Sequence, residues 1–151
     1  MHPSLHRALV ALIAAATTTV LWLVPAQAAP ADRYAGVAVG ATNARRADHE
    51  LTRLRVDPCL QRYADTWARH LARHGRLVHQ DLGPILRRCR MRMVGENIAV
   101  GYPTGRAVVR AWMKSPGHRA NILRPRYRLV AIGAARDAEG RWWSSQVFGR
   151  R

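Results

Sequence analysis

The chain has 151 residues, 48% of them hydrophobic, and its 25 lysine and arginine residues against 9 acidic residues give a formal net charge of +16. This length allows one domain, and the charge predicts attraction to anionic polymers, unless it reflects only an arginine-rich solvated surface. We favour the solvated surface because the basic residues are scattered, and the lack of a nucleic-acid motif makes nucleic acid an unlikely partner.

The first 29 residues have the pattern of a secretory signal peptide. Arg7 provides a basic start, residues 8–24 are apolar apart from three threonines, and residues 26–28 form a small-x-small cleavage site. A retained membrane anchor is the alternative, but the apolar run is short for a span. We therefore expect cleavage after Ala28 or Ala29 and a secreted, extracellular protein.

The first half of the exported chain is predicted to be helical. Small and polar residues at 30–36 suggest a loose leader, and residues 37–54 have a helical pattern. Asp57 and Pro58 form a helix start, apolar residues then recur at helical spacing, and Gly75 ends this second helix. The connection over residues 76–90 includes a predicted short helix at 85–89.

The second half is predicted to contain strands. Residues 94–100 suggest a short strand, and Thr104 can cap a helix that Pro116 stops. Residues 127–135 and 141–148 are strand-like and are joined by a hairpin turn at 137–140. Trp142 and Trp143 would point to opposite faces of the last strand, which leaves at least one of them free to be exposed. Helices with an antiparallel sheet indicate the α+β class.

Two cysteines, Cys59 and Cys89, occur in the chain. Export to an oxidising compartment, an even count and the lack of a Cys-x-x-Cys motif favour one disulfide. Two buried free thiols and a metal pair with histidine are the alternatives. A disulfide would clamp the connection that carries His79.

Two imidazoles and a carboxylate are the candidate chemical groups. His79 lies in the loop after the second helix, Glu96 lies in a Gly-Glu-Asn-Ile motif, and His118 follows Pro116. On composition alone the histidines would be two separate surface residues. If they meet, they form a polar cleft that could bind a divalent metal ion, move protons or hold a polar ligand.

These motifs resemble the CAP superfamily of cysteine-rich secretory, antigen 5 and pathogenesis-related-1 proteins, and most of all its compact bacterial secreted members. The resemblance covers residues 37–149, which we take as one domain after the signal peptide (1–29) and the leader (30–36). It implies a three-layer α-β-α sandwich with a central antiparallel sheet. The residues that carry it are Asn43, Arg46, Asp57, Leu60, His79, Gly95, Glu96, Asn97, Ile98, Trp112, Ser115, His118, Asn121, Ile122, Leu123, Gln146, Phe148 and Gly149.

The resemblance also implies a ligand-binding cleft formed by His79, Glu96, Ser115 and His118. The family's second cleft acid is replaced by Ser115, and Asp81 could substitute for it. His79, His118 and Glu96 would then be ligands of a weakly bound, exchangeable Zn²⁺. Glu96 has an alternative role, in which it accepts hydrogen bonds and fixes a loop.

Other uses of these residue types remain open. His70 and His74 are spaced i, i+4 and could also grip a metal ion, although solvated neighbours are the simpler interpretation. Ser115 with His118 and Glu96 would suit a hydrolase, but a serine before proline normally satisfies a terminal backbone group. Asn121 is expected to hold the short helix after His118 rather than to touch a ligand.

The sequence thus predicts a secreted binding protein, expected to be monomeric, for a metal ion or a small polar or lipidic ligand, with no catalytic residues assigned. An extracellular hydrolase acting on peptide or cell wall is one alternative. A basic module for an anionic cell-wall polymer is the other.

Overall fold

A computed structural model describes residues 30–151, so the predicted signal peptide lies outside the described residues. None of the described helices is long and apolar enough to cross a membrane. In chain order the described elements are α1 (Pro30–Ala47), β1 (Arg55–Val56), α2 (Pro58–His74), α3 (Gly83–Arg88), β2 (Met93–Val100), α4 (Gly105–Lys114), α5 (Pro116–Ile122), β3 (Leu129–Arg136) and β4 (Trp142–Arg150).

The sheet has the strand order β1-β3-β4-β2. Its three long strands are antiparallel, as predicted, with β4 paired on both sides. The two-residue strand β1, which the sequence did not indicate, joins the edge of β3 in parallel. The sheet is therefore mixed at that edge, and β2 forms the opposite edge.

Helices cover both faces of this sheet, which makes the three-layer sandwich that the sequence predicts. Helix α2 packs on one face against β3 and β4, while α1, α4 and α5 lie on the other. Gly133 on β3 marks the closest approach, because a Cβ there would overlap the carbonyl oxygen of Ala64 on α2. Because helices cover both faces, Trp142 and Trp143 are both buried, one on each face of the sheet. The sequence alone allows one of them to be exposed.

The predicted leader is wrong, because residues 30–36 form the first two turns of α1. Pro30 at the first helical position and Asp32 in the first turn are favourable for a helix start, and Tyr34 is buried. The helix also ends earlier than residue 54. Asn43 uses its side-chain amide to bond both the N–H and the carbonyl of Leu54, which holds the following segment as a loop.

Helix α2 follows the sequence prediction closely. Asp57 accepts hydrogen bonds from the N–H groups of Cys59 and Leu60, and Gly75 closes the helix with a φ of 64°. A disulfide joins Cys59 at its start to Cys89 after α3, 30 residues later. The bond closes the part of the chain that includes α2, the His79 loop and α3.

Removing this disulfide should destabilise the protein through the unfolded chain. The chain-entropy model assigns a loop of this length a stabilisation of about 3–4 kcal/mol. The double variant Cys59→Ala, Cys89→Ala should therefore lose about that much free energy of unfolding in a urea titration. Unchanged stability, or two alkylatable thiols in the exported wild-type protein, would contradict the prediction.

Candidate functional site

Glu96 lies in the middle of β2, with its side chain on the α2 face of the sheet and only 1% exposed. Each carboxylate oxygen receives two hydrogen bonds. Oε2 accepts from His79 Nδ1 at 2.8 Å and from the main-chain N–H of Gln80 at 3.2 Å. Oε1 accepts from Gln80 Nε2 at 2.7 Å and from Ser145 Oγ at 2.8 Å. A carboxylate has about four lone-pair directions, so this one is fully used.

The occupied carboxylate argues against the prediction that Glu96 is itself a metal ligand. The alternative role from the sequence, that of fixing a loop, matches the contacts. A carboxylate can only accept, so Nδ1 of His79 is the donor and the neutral ring keeps its lone pair on Nε2. The His79 side chain is 59% exposed. Its free nitrogen is thus available to a ligand from solvent.

His118 reaches the same edge of the sheet from the opposite face. It lies in the first turn of α5 and is half-buried. The pKa of its imidazole is lowered, first because partial burial disfavours the charged ring and then because His79 lies near enough to repel that charge. The two predicted histidines thus contact neighbouring residues of β2 from opposite faces, His79 through Glu96 and His118 through Asn97.

A set of amide side chains, buried except for the half-buried Asn121, fixes α5 against β2. Asn121 donates its side-chain N–H groups to the carbonyl of Glu96 at 3.1 Å and to Asn97 Oδ1 at 3.0 Å. Asn97 donates to the carbonyl of His118 at 3.2 Å and to Gln146 Oε1 at 2.9 Å. The prediction that Asn121 holds the helix after His118 is confirmed. The pairing of Asn97 with Gln146 required strand register that the sequence does not provide.

Two other predicted residues play different parts from those expected. Asp81 accepts the N–H of Gly83 at 2.9 Å in the exposed turn before α3, so it does not replace the missing cleft acid. Ser115 lies between α4 and α5 and is half-buried, but its hydroxyl caps neither helix, contrary to expectation. Main-chain bonds from Ser115 to Trp112 and from Arg119 to Ser115 satisfy the helix ends instead.

Residues that the sequence did not single out complete the site. Gln80 and Ser145 supply three of the four hydrogen bonds to Glu96. Gln80 adjoins His79 in the chain, which was a usable signal, whereas Ser145 comes from β4 and depends on strand register. Within residues 30–151 no group of three or more His, Cys, Asp or Glu side chains is arranged to hold a metal ion. An ion here would find two imidazoles and solvent.

Comparison with known proteins places these features in a family. The family model of the CAP, or cysteine-rich secretory protein, family matches residues 39–148. The uncharacterized protein YkwD of Bacillus subtilis is 45% identical over 56 residues, which are 37% of this chain and 21% of that protein. The chain therefore corresponds to a small part of this relative.

Solved structures share the fold at low identity. An extracellular protein containing a SCP domain from Bacillus anthracis superposes with a TM-score of 0.71 at 23% identity, over 83% of this chain and 45% of that one. A cysteine-rich secretory protein from Staphylococcus aureus gives 0.68 at 18% identity, over 81% and 40%. The chain thus spans less than half of either structure.

Acid should destabilise the protein through His118. Its pKa is below the ordinary value of about 6.5, so the unfolded chain binds more protons as the pH falls through that value. The neutral His118 ring therefore stabilises the folded protein at a pH above about 6.5. This stabilisation is lost as the pH falls from there towards the lower pKa of the folded state. His118→Gln should therefore reduce the drop in melting temperature between about pH 7.5 and 5.5, measured with EDTA present. His49→Gln, at an exposed position after α1, is the matched control, and equal effects would contradict the prediction.

Proposed function

The chain belongs to the CAP family of cysteine-rich secretory proteins, and on this premise we propose that it is an exported binding protein with its ligand site at the β2 edge. The ligand at this edge is a divalent metal ion or a small polar molecule held through it, and a lipidic ligand would occupy a separate cavity. The observation that carries the proposal is the contact between His79 Nδ1 and the buried carboxylate of Glu96 at 2.8 Å.

This contact prepares His79 to act as a ligand. Metal-bound histidines commonly donate their second ring N–H to a carboxylate, which fixes the tautomer and the ring orientation and makes the free nitrogen more basic. His118 supplies the second imidazole, and its lowered pKa favours the neutral ring that a metal requires. Glu96 is thus a positioning residue, and His79 and His118 are the ligands. A bound Zn²⁺ would supply positive charge and open coordination positions.

Weak, exchangeable binding follows from this donor set. Structural zinc sites use four protein ligands and catalytic sites use three, whereas two imidazoles leave at least two positions to water or to a ligand. A polar molecule with a carboxylate or phosphate group could fill them. The site then binds its ligand through the metal rather than through a deep pocket.

A lipidic ligand would find a more suitable lining elsewhere. A cavity of about 350 Å³ lies between the start of α1 and the start of α4, where Tyr34, Val37, Pro103 and Trp142 provide apolar surface. Arg33 and Arg106 also line it and could meet an acidic head group. We therefore assign the polar ligand to the histidines and a lipidic ligand to this cavity.

Export rests on three observations. The first 29 residues have a signal-peptide pattern, the disulfide suits an oxidising compartment, and the structural neighbours are described as extracellular or secretory proteins. Together they support a place outside the cytoplasm.

The hydrolase alternative lacks a contact that it needs. The pairing of His79 with Glu96 would suit a general base, but among residues 30–151 no hydrogen bond joins the hydroxyl of Ser115 to either histidine. A nucleophilic serine is normally within hydrogen-bond reach of its base. Binding is the function that the geometry favours.

Zinc titration by calorimetry tests the metal site. His79→Ala and His118→Ala should each weaken binding strongly, because each removes one of two protein ligands. Glu96→Gln should weaken it less, by about tenfold, since it removes only the partner that orients His79. Affinity should fall as the pH drops from about 7.5 to 5.5, because only neutral imidazole coordinates.

His70→Ala and His74→Ala are the controls for this titration. These two rings lie 4.3 Å apart on α2 and form the rival pair of imidazoles. If their loss abolishes binding while His79→Ala and His118→Ala leave it unchanged, the proposed site is wrong.

Substitutions of Ser115 separate binding from hydrolysis. Ser115→Ala should cost at most about 1 kcal/mol of unfolding free energy and leave zinc affinity unchanged, because the hydroxyl caps neither helix. Ser115→Glu should tighten zinc binding by adding a carboxylate at the position of the family's second acid. A serine-directed fluorophosphonate probe should not label the wild type. Labelling that disappears in Ser115→Ala would overturn the binding-protein assignment.

A further inference from the structure

Three adjacent strands each bring an arginine to one corner of the sheet. Arg55 begins β1, Arg128 precedes β3 and Arg150 ends β4. The main-chain N–H of Arg55 donates to the carbonyl of Arg128, and that of Arg128 donates to the carbonyl of Gly149, so the three arginines lie at the same end of adjacent strands. In the strand register Arg55 is opposite Leu129. With Leu129 and Arg151, the three arginines line a cavity of about 320 Å³.

The positive charge of this corner is poorly compensated. Arg151 forms an ion pair with Asp57 at 2.7 Å, so this carboxylate already neutralises Arg151. Among residues 30–151 the guanidinium of Arg128 donates only to the carbonyls of Pro125 and Tyr127, which carry no net charge. Within the described part of the chain, the guanidinium groups of Arg55 and Arg150 have no salt-bridge partner.

The arginines at this corner repel one another, and a bound anion would reduce that repulsion. Like charges held close together repel each other, and the repulsion grows as the distance between them falls. Arg128 also lies near enough to the buried Arg46 to add to the lowering of its pKa, behind the larger effect of burial. Guanidinium groups bind phosphate and carboxylate oxygens through paired, charge-assisted hydrogen bonds.

We propose that this corner is a binding site for a phosphate group, held by Arg55, Arg128 and Arg150. The cavity is at the small end of the range for ligand sites, roughly 300–1,000 Å³, and so suits a phosphate with a small attached group. Its lining includes no residue of the His79–Glu96 site. The phosphate site can therefore be tested independently of the proposed metal site.

The test is an NMR titration of the disulfide-bonded protein with inorganic phosphate, at ionic strength kept constant with chloride. We expect saturable shifts of the amides of Arg55, Val56 and Leu129. Arg55→Gln and Arg150→Gln should each weaken phosphate binding by about tenfold, the effect of losing one charge-assisted hydrogen bond. Their melting temperatures without phosphate should equal or exceed that of the wild type, because repulsion is relieved.

Arg73→Gln is the matched control, because it removes one charge at an exposed position on α2 outside the cavity. Its phosphate affinity should stay within about twofold of the wild type. Equal losses in all three variants, or shifts that do not saturate, would show a general charge effect and overturn the proposal. A melting temperature of Arg55→Gln below that of the wild type, without phosphate, would also overturn the proposal, because it would show that Arg55 stabilises the fold. Glycerol phosphate and dimethyl phosphate distinguish a monoester from a polymer diester as the source, and tighter binding of either supports the site.

Discussion

A carboxylate buried in a strand has to be compensated by donors, and Glu96 receives four of them from two other parts of the chain. His79 and Gln80 come from the loop after α2, and Ser145 comes from β4. The loop is in turn closed into a covalent ring by the disulfide between Cys59 and Cys89. The orientation of one exposed imidazole thus depends on the covalent clamp, on the strand register and on a single buried charge.

The other imidazole depends on the opposite face of the same strand. Side chains alternate along β2, so Glu96 faces α2 while Asn97 faces α5 and pairs with Gln146. Gln146 continues the network by donating to Thr42 on α1. One strand therefore positions both histidines, one from each layer of helices. A shift of β2 by one residue would exchange these faces and break the contacts of both histidines with the strand.

Local signals predicted most of the fold. The Asp57 cap, the Gly75 stop and the hairpin turn with Gly140 at a φ of 77° are each read from a few neighbouring residues, and each is present. The errors concern long-range contacts. Residues 30–36 become helical where Tyr34 packs into the core, and both tryptophans of β4 are buried because helices cover both faces.

The candidate site also combines features that local sequence predicts with features that depend on long-range contacts. Its histidines and Glu96 could be named from motifs, but the sequence could not decide between the two roles that it offered for Glu96. That Glu96 is saturated follows from Ser145, whose distance of 49 residues in the chain is bridged only by strand pairing. The hydroxyl of Ser115 likewise caps neither helix because of how α4 and α5 meet. Main-chain hydrogen bonds already satisfy the adjoining ends of both helices.

Charge connects the two binding regions that we propose. Residues 30–151 contain 24 of the 25 basic residues and all 9 acidic ones, so a metal cation would approach the histidines against a positive field. Glu96 offsets part of that field, but four donors already share its charge, so a metal ion bound at the histidines would remain exchangeable. The same field raises the local concentration of anions and is screened within about 10 Å at 0.1 M salt. The field would therefore favour an anionic ligand at both proposed sites, through the open positions of a metal ion at β2 and through the arginines at the far corner of the sheet.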